Sequence, residues 1–287
     1  MLPSVFSFTL KSRLFMDSKR ILYVSQEIHP YLPENEISKP SLELPKKMNE
    51  KGHQVRVFMP RYGLINERRH QLHEVIRLSG INIIINDMDQ PLIIKVASVP
   101  QARMQVYFID NEEYFKRKAI FYNEDKEFFS DNHLRAVFFC RGVIETVKKL
   151  GWSPDIIHCH GWMASFMPLY LKRFHSDDPL FAESKTALSL FGHQPAELSS
   201  EIKNTLAFDG FSEEELSAYE KTGLSDIYHA AFASVDAVVA AGKHTDEALV
   251  AAAKENCENF ADLRHSDDLA RDVLPLYERI AVEESVA

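Results

Sequence analysis

The chain has 287 residues, 45% of them hydrophobic and 26% charged, and a formal net charge of −9 with histidine neutral. This is the composition of an ordinary globular protein with room for one large domain or two small ones. The acidic balance argues against nucleic acid or an anionic membrane surface as a general partner, because both reward basic patches.

The opening segment, MLPSVFSFTLKSRLFMDSKR, has a short apolar run from Val5 to Leu10. Its basic residues Lys11 and Arg13 follow that run instead of preceding it, and no small-residue cleavage site comes next, so it does not read as a secretory signal. The run is too short to span a bilayer, and no other segment approaches a span. Met16 is a candidate start, which leaves residues 1–15 as an upstream extension. Cys140, Cys159 and Cys257 are odd in number and widely spread, with no CxxC spacing. They read as reduced, buried thiols of a cytoplasmic protein.

RILYVS (20–25) predicts a buried strand. SLELPKKMNEKG (41–52) predicts a helix, with Ser38 as candidate cap, Pro40 near the first turn and Gly52 as the stop. QVRVFMP (54–60) predicts a second strand, and the three together make a βαβ unit and hence a parallel sheet. VIRL, INIII, LIIKVA and MQVYFID, within residues 75–110, are short and β-branched. They predict hairpin-like additions feeding one more core strand, Met104 to Asp110. DNHLRAVFFCRGVIETVKKLG (131–151) predicts a long amphipathic helix with a glycine stop. PDIIHCH and GWMASFMPLYLKRF predict a strand and a helix, and KTALSLFG and DAVVAAG two further strands. The last forty residues read as mostly helical and acidic. There DDLARDVLPLYERIAV carries an apolar stripe of Leu269, Val273, Leu274, Leu276 and Ile280, most simply a helix packed on its own domain. The expected organisation is one doubly wound domain over residues 16–250 and a helical tail over 251–287.

The stretch RILYVSQEIHPYLPENEISKPSLELPKKMNEKGHQVRVFMPRYG resembles the start of bacterial glycogen and starch synthases. That family opens with a strand, SE, a proline, KTGGLADV, LPK, GH-V and PRY. The likeness continues through YFKRKAIFYNEDKEFFSDNHLRAVFFCRGVIETVKKLGWSPDIIHCHGWMASFMPLYLK, against DN--RF-FF and PD--HAHDWH. HAAFASVDAVVAAG is similar to YAD-VTTVS. The motifs fall in the same order between residues 20 and 250. The resemblance implies the N-terminal half of a GT-B fold, a Rossmann-like α/β domain with a mostly parallel doubly wound sheet, here with a β-hairpin addition and a helical C-terminal tail. It implies transfer of glucose from ADP-glucose to the end of an α-1,4-glucan, with retention and without metal or other cofactor. In that family the first domain binds the glucan and the second most of the donor. The chain is expected to end with the first domain, leaving out the donor domain with its arginine, lysine and glutamate.

Three departures bear on that activity. Aligned back from Leu44-Pro45-Lys46, the family's KTGGLAD falls on Pro33, Glu34, Asn35, Glu36, Ile37, Ser38 and Lys39. The phosphate-contacting lysine becomes Pro33, the glycines become Asn35 and Glu36, and the acid becomes Lys39. A carboxylate ~4 Å from a phosphate charge costs roughly 4 kcal/mol at an effective dielectric near 20. The expected state is a solvated acidic loop without its ligand. The alternative is a new role for Glu34 and Glu36 toward a cation or basic partner. In HCHGW the family's acid is Gly161 and its last histidine Met163. His158 and His160 share a strand face, but zinc wants a third ligand that is not evident, so a structural pair is expected. In KTALSLFGHQ the catalytic histidine position reads Phe191 and the asparagine Gly192. His160 and His193 are the weak catalytic candidates that remain.

Tyr62, Tyr122, Asp131, Asn132 and Trp162 are the candidate glucan-cleft residues. For Asp131 and Arg135 the plainer expectation is a helix cap and a surface ion pair. Three readings follow: an impaired synthase half, a module that binds α-glucan or malto-oligosaccharide, and an interaction protein whose open cleft face takes a protein partner or a second copy.

Overall fold

The computed structural model describes residues 18–99, 102–192 and 197–282. The candidate upstream extension, residues 1–15, and His193 lie outside them.

Strand β1 (Arg20–Ser25), helix α1 (Pro40–Glu50) and strand β2 (Gln54–Pro60) form the expected parallel unit. Pro40 opens α1 at the position where its missing N–H costs nothing. Ser38 is not the cap. Its hydroxyl donates to Pro33 O (2.8 Å) and accepts from Asn35 N (2.9 Å), which braces the preceding loop instead.

After the short helix α2 (Glu67–His70) come β3 (His73–Glu74), β4 (Ile81–Ile85), β5 (Met88–Val99) and β6 (Met104–Asp110). β6 joins β2 in parallel, as a core strand should, while β5 runs antiparallel to it. The first residues of β5 pair back to β4 through a turn at Asn86-Asp87, both at positive φ. Val75–Leu78, expected as a strand, is a turn. Leu78 N donates to Val75 O (2.9 Å), and the chain must reverse here between β3 and β4.

The second half begins with α3 (Glu112–Phe115) and α4 (Asn132–Leu150), the latter ended by Gly151 at φ 57°. Then come β7 (Ile156–His160), a 3-10 turn (Trp162–Ser165), α5 (Phe166–Phe174) and β8 (Lys185–Leu190). Helices α6 (Ile202–Phe208), α7 (Glu213–Leu216) and α8 (Leu224–Phe232) lead to β9 (Ala237–Ala240). Beyond α9 (Glu247–Asn256), residues expected to be mostly helical add a further parallel strand, β10 (Phe260–Asp262), before α10 (Leu269–Asp272) and α11 (Leu274–Val282).

The sheet order is β10-β9-β8-β7-β1-β2-β6-β5-β3, with β4 on β5. The chain winds outward from β1 through β2 and β6, then returns to β7 on the other side of β1. That reversal makes the β1–β7 boundary the switch point, where a crevice opens beyond the strands' carboxyl ends. Both strands are buried almost throughout, as expected at the centre of a parallel sheet.

The reversal has a cost that the tail meets. Right-handed crossovers place α1 on one face but put the connections among β7, β8, β9 and β10 on the other. The α1 face over β7 and its neighbours is left for another element. Helix α11 and the residue before it take it, burying Val273, Leu276, Tyr277 and Ile280, each 2% exposed or less. The Tyr277 hydroxyl lies 2.6 Å from His158 Nδ1 and 3.2 Å from Tyr23 Oη. All three cysteines are free and buried. No helix among the described residues is long and apolar enough to cross a membrane.

Tyr277→Phe keeps the ring but strands His158 Nδ1, and should lower stability by about 1–3 kcal/mol. Tyr122→Phe on the exposed surface should stay within about 0.5 kcal/mol. Urea denaturation of both variants checks this.

Candidate functional site

Three loops meet at the switch point: the one after β1, the turn after β7, and the loop after β8. In the first, the groups that could face an anion are turned inward. Asn35 Oδ1 accepts from the amides of Ile37 (2.9 Å) and Ser38 (2.7 Å). The amide of Asn35 itself donates to Ser38 Oγ, as above. An oxygen from the loop's own side chain therefore takes up amides that a phosphate-holding loop keeps free. Asn35 Nδ2 donates to Glu27 Oε2 (2.6 Å), tying the loop to the end of β1. Burial raises the Glu27 carboxyl above its ordinary range, against the lowering by Asn35 and Gln26.

The two loop acids have separate local partners. Glu34 pairs with Lys39 (2.8 Å) at the surface. Glu36 is half-buried and pairs with His244 in the loop after β9. Glu34 is solvated, as the expected acidic loop requires, while Glu36 is drawn against the loop after β9. A cleft of about 370 Å3 lies between it, α1 and residues 241–243 and 263–270, with lysines at 39, 47 and 243 and acids at 36, 43 and 267 on its walls.

The turn after β7 explains Gly161. It has φ 83°, and a Cβ added there would lie 2.4 Å from Gln26 Oε1. The Gln26 side chain fills that space, accepting from Met163 N (3.3 Å) and donating to Glu27 Oε1 (3.2 Å). Glycine at 161 and glutamine at 26 are two halves of one packing solution.

His160 is fully buried. Its Nδ1 lies 2.9 Å from Ser41 Oγ, which is 2.7 Å from Ser25 Oγ. Its Nε2 is enclosed and has no partner among the described residues. Burial pushes its pKa down to about 3. His158, two residues back, lies 2.8 Å from Ser189 Oγ through Nε2, and burial holds it well below the ordinary range too. The two rings meet edge to face at 4.5 Å. No group of three or more potential metal ligands occurs among the described residues. Phe191 is buried with its ring 5.8 Å from that of His160. A Cβ on Gly192 would come 2.5 Å from His244 O, so the loop after β8 packs directly on the loop after β9.

The candidate cleft aromatics converge on the segment before α4, mostly as packing. Tyr62 is fully buried, with its hydroxyl on Met163 Sδ (3.1 Å) and its ring edge-on to Phe115 and Phe121. Trp162 is fully buried against Phe121 (5.2 Å) and Phe128 (6.1 Å). Tyr122 alone is open, 43% exposed, standing on Phe128 at 5.4 Å. Asn132 donates to Phe121 O (3.0 Å).

Asp131 does not cap α4, because its carboxylate turns to Arg117. Arg135 is not at the surface. It is fully buried, donates to Tyr114 O (2.8 Å) and Ile120 O (2.6 Å), and has its pKa lowered to about 10 by burial. It holds the strand-to-helix segment beneath Tyr122. Sequence reasoning passed over Gln26 and Glu27. Their signals were two polar residues directly after a buried apolar run and, for Glu27, the acid of the SE that follows the first strand in the family.

The starch synthase catalytic domain family matches residues 20–259. A glycogen synthase from Chlorobium limicola is 38% identical over 172 residues, covering 60% of this chain and 35% of that protein. One from Chlorobium luteolum is 40% identical over 174 residues, again 60% and 35%. The chain thus spans about a third of the length of these curated relatives. The catalytic domain of starch synthase IV from Arabidopsis thaliana, solved with ADP and acarbose, superposes with a TM-score of 0.64 at 17% identity, over 77% of this chain and 44% of that one. That likeness speaks to the fold.

Two outcomes are expected here. Gly161→Asp should destabilise the protein by about 2–4 kcal/mol through positive φ and collision with Gln26. Gln26→Ser in the same chain should recover part of that loss, a coupling read by a double-mutant cycle. His160 prefers its neutral form when folded, and in the unfolded chain it titrates near 6.5. Its contribution is therefore present above that pH and is lost as pH falls from 6.5 toward 3. Stability should fall by about 1.4 kcal/mol per pH unit from this group, and the slope of His160→Gln between those limits should be shallower by that amount.

Proposed function

Since the chain belongs to the starch synthase catalytic-domain family, we propose that it serves α-glucan metabolism in the cytoplasm by holding an α-glucan, and that it transfers no glucose by itself. The observation that carries this reading is at the switch point. The crevice is retained, but the side chains around it satisfy one another. Asn35 occupies the loop's amides, Gln26 fills the space beside Gly161, and Phe191 stands against His160. Glucosyl transfer with retention needs a charge-organised site whose donors face the reacting sugar. Here the donors face inward.

Glucan binding needs less: an exposed aromatic ring and nearby hydrogen-bonding groups. Tyr122 supplies the ring, on a segment fixed by Arg135 and Asn132. The Arabidopsis starch synthase IV domain was solved with acarbose as well as ADP, which supports an oligosaccharide as the ligand class. A module of this kind would hold glucan for an active synthase or attach to one.

Calorimetric titration with malto-heptaose should give measurable binding, with Tyr122→Ala weakening it about tenfold, and an ADP-glucose turnover assay should read zero. No binding up to about 10 mM sugar (a free energy near −3 kcal/mol), together with no binding to a full-length synthase, would falsify the reading. Turnover by the purified chain would overturn its second half.

A further inference from the structure

Residues 121–129, which carry Tyr122, fold into a small hairpin. Phe129 N donates to Phe121 O (2.9 Å) and Asn123 N to Glu127 O (2.9 Å), while Tyr122 and Phe128 pair as an antiparallel bridge. At the tip, Asn123 Oδ1 accepts from Glu127 N (2.8 Å), and Asn123 Nδ2 donates to Glu127 Oε2 (2.9 Å). Lys126, at φ 64°, closes the turn. Every residue from Glu124 to Glu127 is exposed, and so are Lys116, Lys118 and Ser130 on either side of the hairpin. A ring flanked by exposed residues in this way stands on a projection and not in a recess.

The base of the hairpin is fixed. Arg135 Nη1 donates to Ile120 O (2.6 Å) and Asn132 Nδ2 to Phe121 O (3.0 Å), the two carbonyls just before Tyr122. Phe128 rests on Trp162 (6.1 Å) and meets Tyr122 edge to face at 5.4 Å, so at most one face of the Tyr122 ring is covered. A ring held like this needs little ordering to bind. Its 43% exposure leaves a flat apolar face for one pyranose ring, with open space on both sides of it.

A polymer end is recognised by enclosure. A wall stops the chain, and placed polar groups meet the terminal hydroxyls that an interior residue lacks. A projecting hairpin supplies no such wall. An interior glucosyl residue asks for less: a stacking face, and room for the chain to run past it in both directions. Glu124 and Asp125 at the tip add acceptors for the O2 and O3 hydroxyls, which recur on every residue of the chain. We propose that the Tyr122 hairpin grips an α-1,4-glucan along its interior and not at its end. This rests on the glucan reading of the same site and says which part of the polymer is held. A glucan held there keeps its ends free for an enzyme that works on them.

The test compares malto-heptaose with the same chain capped at both ends: a methyl glycoside at one, an ethylidene acetal tying O4 and O6 at the other. Both are titrated calorimetrically into the full chain. The capped sugar should bind within about twofold of malto-heptaose, since it loses only groups the site does not touch. Maltose, which has two ends and no interior, should bind at least about tenfold more weakly. Tyr122→Ala should weaken both heptaoses about tenfold, while Tyr122→Phe, which keeps the ring, should hold them within about twofold. A tenfold loss on capping, or maltose binding as tightly as malto-heptaose, puts an end in the site; that overturns the inference and leaves the glucan reading standing. Capped-sugar affinity unchanged in Tyr122→Ala overturns it too, because the interior is then held elsewhere. No binding of either heptaose up to about 10 mM removes the glucan reading and this inference with it.

Discussion

Two imidazoles on the strand next to the switch point must stay neutral and bonded inside the sheet, and much of the molecule is arranged around that requirement. His158 and His160 project from one face of β7, where charging either would mean burying an unpaired cation. Helix α1 supplies Ser41 to one ring, and α11 supplies Tyr277 to the other. These contacts join residues 119 apart in sequence in both directions from β7. The tail is therefore part of the core and not an appendage. It covers a face that the winding of the sheet leaves bare.

The same inward economy governs the crevice. In a phosphate-holding loop, backbone amides are kept free so that an outside oxygen can accept from them. Here Asn35 and Ser38 provide those oxygens from within. Glycine is not needed there, because the loop's own side-chain oxygens meet the amides. At the turn after β7 the logic reverses: glycine is needed at 161 because Gln26 has taken the space. A loop without glycine and a turn with one have the same cause, which is a crevice whose polar groups close on each other.

The molecule still presents an open surface. Tyr122 stands open over a packed aromatic floor pinned by a buried arginine. It belongs to a loop at the end of the sheet where such folds bind ligands.

The sequence by itself determined the succession of core parallel strands along the chain as far as β9, the long helix from Asn132 to Leu150, the glycine stops and the family. Those signals are local: apolar runs, helical spacing and turn residues lie in consecutive positions. It also located the positions that depart from the family, but not their consequences. Tyr62 and Trp162 read as cleft aromatics and Arg135 as a surface charge, yet all three are fully buried. Burial of an aromatic or an arginine depends on what other segments place over it, and those segments are distant in the chain. The pairing of Gln26 with Gly161 and the self-closed loop around Asn35 were decided only by tertiary structure. Each depends on which side chain reaches a shared space first, and the amino-acid order carries no direct record of that.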